Sequence, residues 1–192
     1  MKRDNIFTVP FRRKREGRTY YKQRLKMVIS SKPRLIVRRS LNNFQAAIAS
    51  YNQKGDKILL TVNTKALSKF GWKGSTSNIS SAYLVGLLAG KKAVEKGVKE
   101  AILDIGLIKN TKKGSIYAVL AGALDAGLEI PCDPEVLPTK ERIEGAHVAK
   151  YAEMLKKDKD RYNKQFSNYV KKGLHPEDIV KHFNEIKGKI NG

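Results

Sequence analysis

Pro33-Arg34-Leu35-Ile36-Val37-Arg38-Arg39-Ser40-Leu41-Asn42-Asn43-Phe44-Gln45-Ala46-Ala47-Ile48-Ala49-Ser50 is the stretch whose reading decides the fold. Leu35 and Val37 alternate with Arg34, Ile36 and Arg38, the period-two pattern of a strand whose cations stand on one face or edge of a sheet. Ser40-Leu41-Asn42-Asn43 reads as a turn, and Phe44, Ala46 and Ile48 then share a face on a second strand. Gly55-Asp56 marks the next turn, after which Ile58, Leu60 and Val62 repeat the alternation. Three consecutive strands with short links predict an antiparallel meander.

Downstream the texture changes. Gly71-Trp72-Lys73-Gly74-Ser75-Thr76-Ser77-Asn78 is a glycine- and serine-rich loop ending in a helix cap. The helix is expected from about Ile79 to Lys96, stopped by Gly97. Its small residues Gly86, Ala89, Gly90 and Ala93 suit close packing on a sheet. Ala101 to Ile105 reads as a buried strand, and Gly114-Ser115 opens a helix that Gly127 closes. A meander followed by β-α-β-α predicts an α/β body with a mixed sheet over residues 33–138. Beyond Pro138, Ile143, His147, Tyr151 and Leu155 recur at spacings of four, a helical stripe, and His175-Pro176-Glu177-Asp178 resembles a helix start. Residues 139–192 are therefore expected to form a helical C-terminal extension.

Upstream lies the charge. The chain of 192 residues carries 39 Lys and Arg against 18 Asp and Glu, a formal +21. Residues 1–39 hold fourteen of those cations against only Asp4 and Glu16, a net of +12. Such a surplus repels itself unless a polyanion neutralises it. A membrane is a poor candidate, because the longest apolar run, Ala82 to Gly90, is far short of a span. Met1-Lys2-Arg3-Asp4 leads into no apolar signal core, and a soluble intracellular protein is expected. Residues 1–32 thus read as a basic arm. Phe11-Arg12-Arg13-Lys14-Arg15-Glu16-Gly17-Arg18-Thr19-Tyr20-Tyr21 interleaves cations with aromatics. Guanidinium forks match phosphate oxygens, and both Arg and Tyr stack on unpaired bases. Gly17 permits a sharp turn, and Thr19 is a candidate cap for a helix over Tyr20 to Ile29. That helix would set Tyr21, Leu25 and Val28 on one face and Lys22 and Lys26 on another. A flexible solvated tail is the plainer alternative, but such tails are usually poor in aromatics.

Enzyme readings fare badly. Gly86-Leu87-Leu88-Ala89-Gly90-Lys91-Lys92 mimics a phosphate loop but has the wrong glycine spacing, Lys92 at the hydroxyl position, and a mid-helix setting. Asp104 near a strand end could serve a metal-dependent nuclease, yet no second strand-end acid accompanies it, and a satisfied or capping role is expected. His147, His175 and His182 show no metal spacing with Cys132, the single cysteine, and His147 is expected to pack on the helical stripe. Trp72 fits base stacking and loop packing equally well. No metal, cofactor or small-molecule substrate is implied.

Three ordered blocks then become specific. The first is Val9-Pro10-Phe11-Arg12-Arg13-Lys14-Arg15-Glu16-Gly17-Arg18-Thr19, with Pro33 to Ser40. The second is Phe70-Gly71-Trp72-Lys73-Gly74 with Ala82 to Gly90 and Leu103-Asp104-Ile105-Gly106-Leu107. The third is Gly145-Ala146-His147-Val148-Ala149-Lys150-Tyr151 with Lys164-Gln165-Phe166-Ser167-Asn168-Tyr169. Together they resemble the archaeal and eukaryotic branch of the large-subunit ribosomal protein family that binds 5S rRNA, number eighteen in archaeal and five in eukaryotic naming. The resemblance implies a ribonuclease-H-like architecture without its catalytic carboxylates, and a non-enzymatic place in the central protuberance of a 50S-type, archaeal, cytoplasmic ribosome. It implies 5S rRNA and 23S-type rRNA as ligands. A neighbouring 5S-binding protein (large-subunit protein five in archaeal naming) and large-subunit protein twenty-one are implied as contacts. By the matched motif, the RNA-facing residues are Arg12, Arg13, Lys14, Arg15, Gly17, Thr19, Tyr21, Arg34, Arg38, Arg39, Ser40 and Asn42, and the cations Arg24 and Lys73 extend that set. A general basic RNA chaperone is the remaining rival.

Overall fold

The computed structural model describes residues 8–192. In chain order it contains α1 (Arg12–Arg15), α2 (Tyr21–Ile29), β1 (Arg34–Arg39), β2 (Phe44–Ser50), β3 (Lys57–Asn63), α3 (Ile79–Glu95), β4 (Ile102–Asp104), α4 (Ser115–Asp125), α5 (Lys140–Glu144), α6 (Ala146–Leu155), α7 (Lys159–Lys171) and α8 (Ile179–Asn191), with short 3₁₀ turns between some of them. The sheet order is β3-β2-β1-β4. The first three strands form the antiparallel meander, and β4 lies parallel to β1 on its open side. This is the mixed α/β arrangement expected of the sequence.

The meander is held by its turns and its inward residues. Ser40 N–H donates to the Asn43 carbonyl (2.9 Å), and Asn43 N–H donates to the Ser40 hydroxyl (3.1 Å), closing the β1–β2 turn. Leu35, Val37, Phe44, Ala46 and Ile48 are fully buried. The alternation fails at one place. Ile48 pairs with Leu60 but Ala49 pairs with Ile58, so Leu59 is an extra residue in β3. A bulge of this kind reverses the facing of everything beyond it, and Ile58, expected inward, is 61% exposed. β4 is shorter than the expected Ala101–Ile105 strand, pairing with β1 over three residues only.

α3 begins at Asn78, whose side chain accepts from Ser81 N–H (2.8 Å), and ends before Gly97 at φ +79°. Its glycines, Gly86 and Gly90, meet α4 rather than the sheet. A methyl group on Gly86 would overlap the Val119 carbonyl, and one on Gly122 would overlap the Tyr83 carbonyl. The two helices therefore approach backbone to backbone, clasped by a Tyr83 hydroxyl that donates to Asp125 (2.5 Å). Burial and that carboxylate push the Tyr83 phenol far above its ordinary range.

The stripe expected through Ile143, His147, Tyr151 and Leu155 does not form. Gly145, at φ +87°, separates α5 from α6 and rotates the second helix. Ile143 and Ala152 are buried, while His147 and Tyr151 are exposed. α8 compensates: Ile179, Phe183, Ile186 and Ile190 form one face and join the same apolar cluster as the sheet and α3. The C-terminal helices thus share the core of the α/β body. Trp72 is enclosed there, stacked on His182 (5.2 Å between rings), with its indole N–H donating to the Ser75 carbonyl (3.0 Å). Packing, not base stacking, accounts for it.

Gly86→Ala separates two effects of opposite sign. Helix propensity alone favours Ala by about 1 kcal/mol. The overlap with Val119 is instead expected to lower stability by about 1–3 kcal/mol in urea denaturation, in line with overpacked cores.

Candidate nucleic-acid interface

Arm and sheet meet through an unbroken series of charges. Arg24, on α2, donates through one nitrogen to both oxygens of Asp56 (3.0 Å each), in the β2–β3 turn. Arg34, on β1, lies 2.6 Å from Oδ2 of that carboxylate and donates to Asp104 (3.0 Å) at the end of β4. Arg38, four residues further along β1, donates to Asp104 Oδ1 (3.1 Å) and to the Asp104 and Val37 carbonyls (2.8 Å each). Gly106 N–H donates to the same Oδ1 (2.9 Å). Three arginines and two aspartates therefore alternate from the arm helix to the end of the sheet.

This geometry sorts the expected RNA-facing residues. Arg34 is only 2% exposed, and reaching a phosphate would mean abandoning two carboxylates inside the protein. It is a structural ion. Arg24 is half-buried and committed to Asp56, whereas the Arg38 side chain, though bonded to Asp104, is 44% exposed. Asp104 is the satisfied carboxylate expected of it.

The arm itself is more structured than an extended tail. α1, not anticipated in the sequence, coils Arg12, Arg13, Lys14 and Arg15 into one exposed turn. Glu16 lies between Arg12 (3.6 Å) and Arg18 (3.2 Å), and Gly17 takes φ +63°, which reverses the chain. Thr19 does not cap α2. Its hydroxyl accepts from Arg13 Nε (3.0 Å), and the cap position falls to Tyr20. Tyr21 packs on Phe11 (5.0 Å between centroids). The inward side of α2 is Tyr21, Gln23, Arg24, Met27 and Val28, and Leu25, expected among them, is 60% exposed. Arg24 displaces Leu25 from the inner face because Asp56 lies beneath it.

At the sheet end, Arg39, Ser40 and Asn42 are exposed, with the Arg39 guanidinium over the Phe44 ring (5.9 Å). The Asn42 carbonyl accepts from the Thr76 hydroxyl (2.6 Å), which pins the turn. Lys73 is exposed, its backbone N–H donating to His182 Nε2 (3.1 Å). Arg18, Lys22 and Lys26 are further exposed arm cations outside the expected set. Charge alone could have nominated them.

Among the described residues, no group of three or more His, Cys, Asp or Glu side chains gathers to hold a metal ion. A broad concavity of about 490 Å³ among the C-terminal helices contains Glu177, which accepts from Tyr162 (3.1 Å) and pairs with Lys156 (3.3 Å). That carboxylate is structural.

A cationic arm braced on a compact mixed α/β body defines a basic scaffold protein of the kind that builds ribonucleoprotein. The family model described as ribosomal large subunit proteins 60S L5 and 50S L18 matches residues 5–101. The chain is also 53% identical over 184 residues to large ribosomal subunit protein uL18 of Methanococcus maripaludis, covering 96% of this chain and 95% of that protein. It belongs to this family of large-subunit ribosomal proteins, which places it in the cytoplasmic ribosome and in translation.

Asp104→Ala leaves Arg34 buried beside Asp56 alone, and is expected to cost about 3–5 kcal/mol in urea denaturation. Asp56 predicts a pH effect. Burial raises its carboxyl pKa, but the hydrogen bonds and charges of Arg34 and Arg24 outweigh this and hold it below the ordinary value. Its stabilising contribution is therefore present above the unfolded-state pKa of about 4. It is lost as pH falls from there through the lower native value. Asp56→Asn should flatten that limb of a pH–stability profile measured by thermal melting.

Proposed function

We propose that the chain is a structural constituent of the large subunit that binds 5S rRNA and attaches it to the 23S-type rRNA in the central protuberance, acting without catalysis and without a cofactor. The observation that carries this reading is α1: four consecutive cations exposed on one turn, ahead of a glycine reversal and an arm helix anchored to the sheet. Displacement of counterions from RNA phosphates supplies the affinity. Tyr21 and the Ser40–Asn42 turn offer stacking and hydrogen-bonding groups for unpaired nucleotides. Arg12, Arg13, Lys14, Arg15, Arg38, Arg39 and Lys73 are the proposed phosphate-facing cations, with Gly17 and Thr19 shaping the arm. Arg24 and Arg34 act by holding it. The exposed surface of the C-terminal helices is the proposed contact for the neighbouring 5S-binding protein and for large-subunit protein twenty-one.

Deleting residues 1–32 would also remove Arg24 and disturb the body, so charge removal within α1 is the cleaner test. Replacing Arg12, Arg13, Lys14 and Arg15 together with Gln is expected to weaken binding to transcribed 5S rRNA about a hundredfold at moderate salt, and to flatten the log affinity–log salt slope by about 3. Filter binding across a salt series checks both. Unchanged affinity and slope would remove α1 from the interface, and equal affinity for tRNA would favour a general RNA chaperone.

A further inference from the structure

Between the arm and the end of the sheet lies a cleft of about 90 Å³. Arg13 and Arg18 line it from the arm reversal, Arg24 and Gln23 from α2, and Arg38 from β1, with Thr19 at its edge. We propose that this cleft is a binding site for a single phosphate of the RNA backbone, clamped between arm and body. The inference rests on the RNA-binding reading of the arm and adds to it Arg18 and Gln23, neither of them among the residues first expected to face RNA.

Four arginines line a space of this volume, which suits one tetrahedral oxyanion and is too small for a whole nucleotide. Their internal bonds leave donors to spare. Arg24 uses one terminal nitrogen for Asp56, and Arg13 uses Nε for Thr19. Arg18 touches Glu16 through Nε and is 65% exposed. Arg38 is the most committed of the four, with both terminal nitrogens bonded to Asp104 and Val37, and offers only Nε and one remaining Nη2 hydrogen. The one carboxylate lining the cleft, Asp104, already accepts from Arg34, Arg38 and Gly106, so the arginines dominate the local charge. Gly106 sits at φ +65°, and a side chain there would press to within 3.0 Å of the Arg38 guanidinium carbon. Planar guanidinium forks are the donors that match phosphate oxygens, and an anion shared by arm and body draws them together.

Two variants spare the charge ladder: Arg18→Gln, and the isosteric Gln23→Glu, which places a carboxylate in the lining. The experiment pairs them with 5S rRNA in which backbone phosphates are replaced one at a time by neutral methylphosphonate, and separately with a titration of inorganic phosphate followed by the amide resonances of Thr19 and Gly106. Each variant should melt like the parent and bind 5S rRNA about tenfold more weakly, as for a lost charge-assisted hydrogen bond. One methylphosphonate position should weaken the parent about tenfold and leave either variant within about twofold, the coupling expected of groups in contact. Equal losses in parent and variants at every position would overturn the clamp. Inorganic phosphate shifting both amides while no RNA position couples would make the site one for a free anion and overturn its assignment to RNA. If the parent fails to bind 5S rRNA, the broader functional reading falls, and the phosphate titration still decides whether the cleft takes an oxyanion: amides that do not move overturn it.

Discussion

Arg34 occupies an expensive position: a guanidinium almost wholly removed from water, between Asp56 on one side and Asp104 on the other. A charge so buried is tolerable only when paired, and here each partner brings a separate segment of chain with it. Asp56 belongs to the β2–β3 turn and Asp104 to the C-terminal end of β4. Both then carry the charge alternation outward, to Arg24 on the arm helix and to Arg38 at the end of the sheet. The angle at which the arm leaves the body, the parallel docking of β4 on β1, and the placing of Arg38 all depend on this one buried ion.

The arrangement reconciles a very basic chain with a compact body. Much of the positive charge lies in an arm that projects its cations from a single helical turn and a glycine reversal. Arg34 and Arg38 in the sheet are balanced by carboxylates. A freely flexible arm would lose conformational entropy on each encounter with RNA, whereas one braced through Arg24 and Asp56 is oriented beforehand. The same bracing explains why the helix buries an arginine where a leucine was expected.

The rest of the molecule supplies rigidity behind that junction. α3 and α4 approach closely enough that glycine is required where their backbones touch, and α8 inserts its isoleucines and Phe183 into the common apolar cluster. His182 on α8 meets Trp72 and the backbone of Lys73, so the glycine-serine loop beside the sheet is tied to the last helix. The C-terminal extension therefore shares the core with the body while its outer faces stay exposed.

Local pattern was sufficient for the meander, for α3 with its Asn78 cap and Gly97 stop, and for the segregation of charge into an arm, because periodicity and composition act over a few residues at a time. The ordered motif blocks likewise carried the family. The bulge at Leu59 that turned Ile58 outward escaped that reading, since it depends on the register of a partner strand. Gly145 splitting the expected helical stripe escaped it too, because a left-handed residue is stabilised by what packs around it. The roles of the arginines were the least legible. Arg34, Arg38 and Arg39 are chemically alike and close in sequence. Only Asp56 and Asp104, brought up from distant segments, make the first a buried structural ion, hold the second at the surface and leave Arg39 without a carboxylate among the described residues. Sequence alone determined where the charge is concentrated; the tertiary structure decided which charges are free, because pairing is a property of neighbours in space.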